Sequence, residues 1–199
     1  MNEKVFKIIT FASGIIAAFV GLFFFVQSII TATSIDSNMG SKLIIYSIII
    51  AVLELALAAL LIIVAAFIIK GFVQNDDKCA LHKYLALLFF SFEALLFFIA
   101  IVFGAYKSAY NWVSVIFASA GVAAVIVYMF VKLEDIAKII MMLSLSAWGF
   151  VFSILRLSST GPGRVWAAAY VFSMFMFASL AAYYICKLID KSSNKSIEE

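Results

Sequence analysis

Proline is almost absent from this chain, with one in 199 residues, and glycine is scarce at nine. Helices interrupted at mid-membrane, which many ion-coupled transporters use to hold their ions, depend on such residues, so unbroken helices are expected. Histidine occurs once, at His82, which leaves no pair to share a metal ion. There is no glycine loop to cradle phosphate and no Gly-x-Ser-x-Gly turn to present a nucleophile. An enzyme is therefore not expected, and no cofactor is implied. The two cysteines, Cys79 and Cys186, both fall on the side assigned below to the cytoplasm, where disulfides are disfavoured.

Charge is the other scarcity. Only 13% of residues are charged against 66% apolar, and mean hydropathy is +1.17. One soluble core of this size has no room for that much apolar surface, so the composition points to an all-α, polytopic membrane protein with the lipid bilayer as solvent. The net charge of +3 arises from basic residues scattered among short links and the two ends, which is no footprint for nucleic acid.

Six apolar runs are long enough to cross a bilayer, at about 8–33, 43–69, 84–106, 112–131, 136–155 and 165–189, in a single domain covering 1–190. Lys191 to Glu199 reads as a polar cytoplasmic tail. The first run is too long for a signal-peptide core and no small-x-small cleavage site follows it, so it is expected to remain as a span. Gly14, Ala18 and Gly21 lie on one face of it and would let a second backbone approach closely. A resemblance between residues 13–18 and 119–124 suggests a repeat, but the second half has no counterpart of either acid described next.

Two runs carry one carboxylate each, Glu54 and Glu93, about ten residues from the start of their spans and so near the midplane. An acid at that depth is costly and marks a functional site by default. Both are flanked by small residues, Ser47, Ala51, Ala58 and Ala65 in one case and Ala86, Ala100 and Gly104 in the other. That pattern suggests that the two acids meet, share a proton and titrate as one unit. Gln27, Ser146, Ser153 and Arg156 are candidates for a polar path to them. The expected function is movement of a proton, cation or small solute through a transporter or channel. The alternative is a non-transporting accessory or scaffold protein that binds a larger membrane partner or a second copy of itself through its small-residue faces. Asp76, Asp77, Cys79 and His82 crowd one link and include metal-ligand types, but their spacing fits no zinc pattern and a solvated loop is the better reading.

Lys and Arg fix the expected orientation, because ten fall on the side of the N-terminus and four, Lys42, Lys107, Arg156 and Arg164, on the other. Both ends of the chain should face the cytoplasm, in an inner or plasma membrane. Tyr106, Tyr110, Trp112, Trp166 and Tyr170 then form the outer aromatic belt. Reporter fusions at either terminus should read out on the cytoplasmic side and a fusion in the 34–42 link on the opposite side; the same side for all three would overturn this topology.

Overall fold

The computed structural model describes residues 3–36, 38–74, 81–104, 109–159 and 163–198. These residues form six α-helices: α1 (Glu3–Thr33), α2 (Ser41–Val73), α3 (His82–Val102), α4 (Ala109–Phe130), α5 (Asp135–Ser159) and α6 (Arg164–Glu198). All six contain a stretch long and apolar enough to cross a membrane, and no strand occurs among the described residues. A helix satisfies its backbone hydrogen bonds internally, which is what allows such apolar segments to be stable away from water.

The helices run up and down, so both ends of the chain lie at one end of the bundle, here termed the terminal end. There Phe6 of α1 meets Tyr183 of α6 edge to face at 5.6 Å, and Lys191 of α6 pairs with Asp135 of α5 at 2.7 Å. At the opposite, distal end α3 stops at Phe103 and Gly104, whose φ of 67° places it in the left-handed region. Its N–H bonds back to the Ile101 carbonyl at 3.0 Å. Glycine enters that conformation without the Cβ clash that other residues meet. The third span therefore ends near 102 instead of 106. At the other extreme α6 continues as a polar extension through Glu198, well past residue 189.

Packing centres on α1, which lies between α2 and α6. Its Gly14 and Gly21 do bring a second backbone close: a Cβ on Gly21 would stand 3.0 Å from the Ala58 carbonyl oxygen, and one on Gly14 would stand 2.9 Å from the Ile68 side chain. Those contacts set the antiparallel register of α1 on α2. In that register α1 ends beside the first third of α2, whose first turns continue about 12 Å farther. The bundle has a step at its distal end as a result.

Interior space elsewhere is filled by aromatic rings. Phe89 meets Phe177 at 4.9 Å and Phe90 at 5.7 Å, and Phe24 meets Phe92 at 5.1 Å. Rings of α3 and α6 also occupy the grooves left by two glycines. A Cβ on Gly121 of α4 would lie 2.6 Å from Phe90, and one on Gly149 of α5 would lie 2.4 Å from Phe177. Phe177 is fully buried and cannot swing aside. Gly149→Ala should therefore destabilise the protein by about 1–3 kcal/mol through overpacking. Thermal unfolding in detergent checks this, with Phe177→Leu expected to recover much of the loss in the double variant.

Candidate functional site

Glu54 and Glu93 are both completely buried. They do not meet: among the described residues each has its own partners and no hydrogen bond joins them. Helix packing explains the separation. The small-residue stripe of α2 that carries Glu54, with Ala58 and Ala65, is the face that packs on α1 at Gly21, so Glu54 points toward α1 and not toward α3. Glu93 belongs to the buried face of α3 that carries Phe89, Phe90 and Phe97, and it points toward α5 and α6.

At Glu93 one carboxylate oxygen is hydrogen-bonded and the other is held by an ion pair without a hydrogen bond of its own. The Tyr170 hydroxyl donates to Oε1 at 2.6 Å, and Arg156 Nε lies 3.0 Å from Oε2. Arg156 also donates from Nε and Nη2 to the Tyr170 oxygen at 3.2 and 3.1 Å. The Arg156 Nε–H is shared: its angle favours the phenol oxygen, while charge pairs it with the carboxylate. The guanidinium is held between two rings, 4.5 Å from the Phe97 centroid and 5.1 Å from that of Tyr170. With Arg156 11% exposed, this is a buried ion pair clamping α3, α5 and α6 together. Trp166 stacks on Tyr170 at 5.7 Å and closes the cluster from the distal side.

Glu54 has a different setting. Thr31 Oγ1, near the end of α1, donates to Oε2 at 2.8 Å, and Gln27 Nε2 donates to Thr31 Oγ1 at 3.3 Å. The second carboxylate oxygen, Oε1, is buried and has no hydrogen-bond partner. Thr31 is half-buried, and the exposed Thr33 and Ser34 follow it at the step. Toward the terminal end the α1–α2 seam is closed by Ala17, Val20, Leu57, Ala58 and Leu61, all buried. This carboxylate therefore has a polar connection to the distal end and an apolar wall on its other side.

The remaining residues divide. Gln27 does belong to a polar chain reaching Glu54. Ser146 and Ser153 are buried but donate to carbonyls of their own helix, Met142 and Gly149, at 2.7 and 2.8 Å, so they form no path. Arg156 leads to Glu93 and Tyr170. His82, expected in a solvated loop, is instead the fully buried first residue of α3. It lies 3.0 Å from Ser13 Oγ and edge to face with Tyr183 at 5.0 Å. Ser13 gives its proton to the Thr10 carbonyl at 2.7 Å, so His82 Nε2 is the donor in that contact. Helix α3 starts two residues before the first apolar run expected for it, which carries His82 between α1 and α6. Asp76, Asp77 and Cys79 lie outside the described residues, and no cluster of metal-ligating side chains occurs among those described.

Thr31 and Tyr170 were missed by sequence reading. Tyr170 reads as part of the interfacial belt and Thr31 as the fringe of a span. The signal available was the stripe Ser146, Gly149, Ser153, Arg156, whose helical spacing places Arg156 on the same inward face as the buried Ser153. An apolar cleft of about 220 Å³ between α4 and α5, lined by Phe117, Trp148, Phe152 and Ser114, holds no acid or base.

No family model matches the chain, and neither a curated protein nor a solved structure aligns with it significantly. The fold itself defines the class: an all-helical bundle with six helices of membrane-crossing length and composition, as in multi-pass membrane proteins.

Removing the cation from the Glu93 cluster isolates a buried charge. Arg156→Met should cost about 3–5 kcal/mol of stability, whereas Arg156→Met combined with Glu93→Gln should recover most of it. Unfolding in detergent distinguishes this from a surface pair, for which all three proteins would be alike within about 1 kcal/mol.

Proposed function

We propose that the chain inserts in a plasma membrane as six spans with both termini cytoplasmic, and that it is a small transporter or channel moving a proton or cation by exchange at Glu54. One observation carries the reading: a fully buried carboxylate holds a single hydrogen-bonded neighbour on one oxygen and none on the other. A group serving only to join helices gains most when its oxygens are matched. Glu93 comes nearer to that, with a phenol hydroxyl on Oε1 and a guanidinium paired by charge with Oε2, whereas Glu54 has no cation beside it. Glu54 departs from that rule at the depth where an ionisable residue is most costly. Its polar neighbours lead to one end of the bundle only, which is the arrangement of a site open to one side at a time.

The carboxylate pair is thereby replaced by a single exchange residue. Glu93 becomes a structural clamp, and its chemistry is spent on Arg156 and Tyr170. The Gly14 and Gly21 face, which an accessory protein would keep for a partner, is filled by α2 of the same chain.

Flux of protons, Na⁺ and K⁺ into proteoliposomes tests this. Glu54→Gln keeps the volume and most of the hydrogen bonding but not the ionisation, and should lower flux by about a hundredfold, in the range a positioned proton-transfer group contributes. Native flux in a folded Glu54→Gln protein, or no flux of these ions by the native protein, would overturn the reading.

A further inference from the structure

The direction of the hydrogen bonds at Glu54 identifies its ion. Thr31 Oγ1 has one proton, which goes to Glu54 Oε2, and a lone pair of the same oxygen accepts from Gln27 Nε2. Every donor in this chain of three points toward the carboxylate. A metal cation at Glu54 would face hydrogens where it needs oxygen lone pairs, of which a hard cation takes about six or more. Even with the Thr31 hydroxyl and the Gln27 amide turned, these three residues would offer at most four oxygens, fewer than a hard cation takes.

The chain can also run backwards, with only the Thr31 hydroxyl and the Gln27 amide turning. When Glu54 carries a proton it donates to Thr31 Oγ1, the Thr31 hydroxyl turns to Gln27, and a half-turn of the Gln27 amide brings Oε1 into the place of Nε2 to accept. Glu54 Oε2 is then hydrogen-bonded in both protonation states through the same three residues. Serine or threonine in the middle and a primary amide at the end are the groups this reversal needs, since each offers a donor and an acceptor. The half-buried Thr31 lies at the step where α1 ends, next to the exposed Thr33 and Ser34.

We propose that Gln27 and Thr31 form a reversible proton relay to Glu54, so that the ion handled at this site is a proton delivered from the distal end of the bundle. The inference rests on the reading of Glu54 as an exchange site. In delivery, hydronium at the outer edge of Thr31 protonates Oγ1 and leaves as water. The original Thr31 O–H bond breaks as its proton forms an O–H bond with Glu54 Oε2. Thr31 ends neutral, the carboxylate becomes a carboxylic acid, and the reverse sequence discharges it. Thr31 is a relay and Gln27 a positioning residue; no other charged side chain pairs with Glu54 among the described residues.

Infrared difference spectra in lipid, taken between acidic and alkaline pH, test the relay without any transport assay. The native protein should show a protonated-carboxyl stretch that is absent from Glu54→Gln, kept by Thr31→Ser and moved to higher frequency in Thr31→Val, which has the same shape but no hydroxyl. A side-chain amide change should accompany it and vanish in Gln27→Leu. In proteoliposomes, proton flux should fall roughly tenfold or more in Thr31→Val, recover in Thr31→Ser and be indifferent to replacing Na⁺ by K⁺ or choline. An unshifted carboxyl band in Thr31→Val, the absence of a band at any pH, or a flux that requires Na⁺ would overturn the relay. No flux from native protein that shows the expected spectra would overturn the exchange reading and leave the relay standing.

Discussion

Close packing at glycine determines which way the two buried glutamates of this bundle face. Among helices this apolar, exclusion of water gives little preference for one face over another in a bilayer, and van der Waals fit takes its place. Gly21 against Ala58 seats α2 on α1, and that one contact turns Glu54 toward Thr31. Gly149 against Phe177 seats α5 on α6 and brings Arg156 within reach of Tyr170. The polar clusters follow from the packing, and each then adds a directional constraint that the packing alone lacks.

Two glutamates of the same burial illustrate how much their neighbours matter. Glu93 lies against a cation and a phenol, so its negative charge is matched and its oxygens are used. Such a group resists change, because altering any member leaves the others unpaired in an apolar interior. Glu54 has only neutral neighbours that both donate and accept, and one of its oxygens is idle. The two acids thus join different sets of helices, Glu54 linking α1 and α2 and Glu93 linking α3, α5 and α6.

Length and hydropathy made the six helices legible in the sequence, because crossing a membrane needs little more than an apolar run of sufficient length. The burial of Glu54 and Glu93 was legible in the small residues beside them. Their partners were not. The small residues beside both acids suggested that α2 and α3 face each other, but a small residue records only that some backbone comes near, not whose. Long side chains add a second uncertainty: Arg156, three residues from the end of α5, and Tyr170, six from the start of α6, both read as boundary residues yet reach inward to Glu93. His82 was misplaced for a similar reason, since its neighbours Leu81 and Lys83 look like a loop margin and only the tertiary contact with Ser13 reveals its burial.

The step at the distal end has a bearing on the bilayer as well as on access to Thr31. Helix α2 has 33 residues and α3 has 21, or about 50 Å and 31 Å of rise. Only the shorter matches a hydrocarbon layer of about 30 Å, so in a bilayer α2 would lean, extend beyond the layer or thicken the lipid around it. Because α1 is fixed to α2 through Gly21, any change in that lean carries the end of α1 with it. In a bilayer, thickness would thereby bear on the same helix pair that holds Glu54.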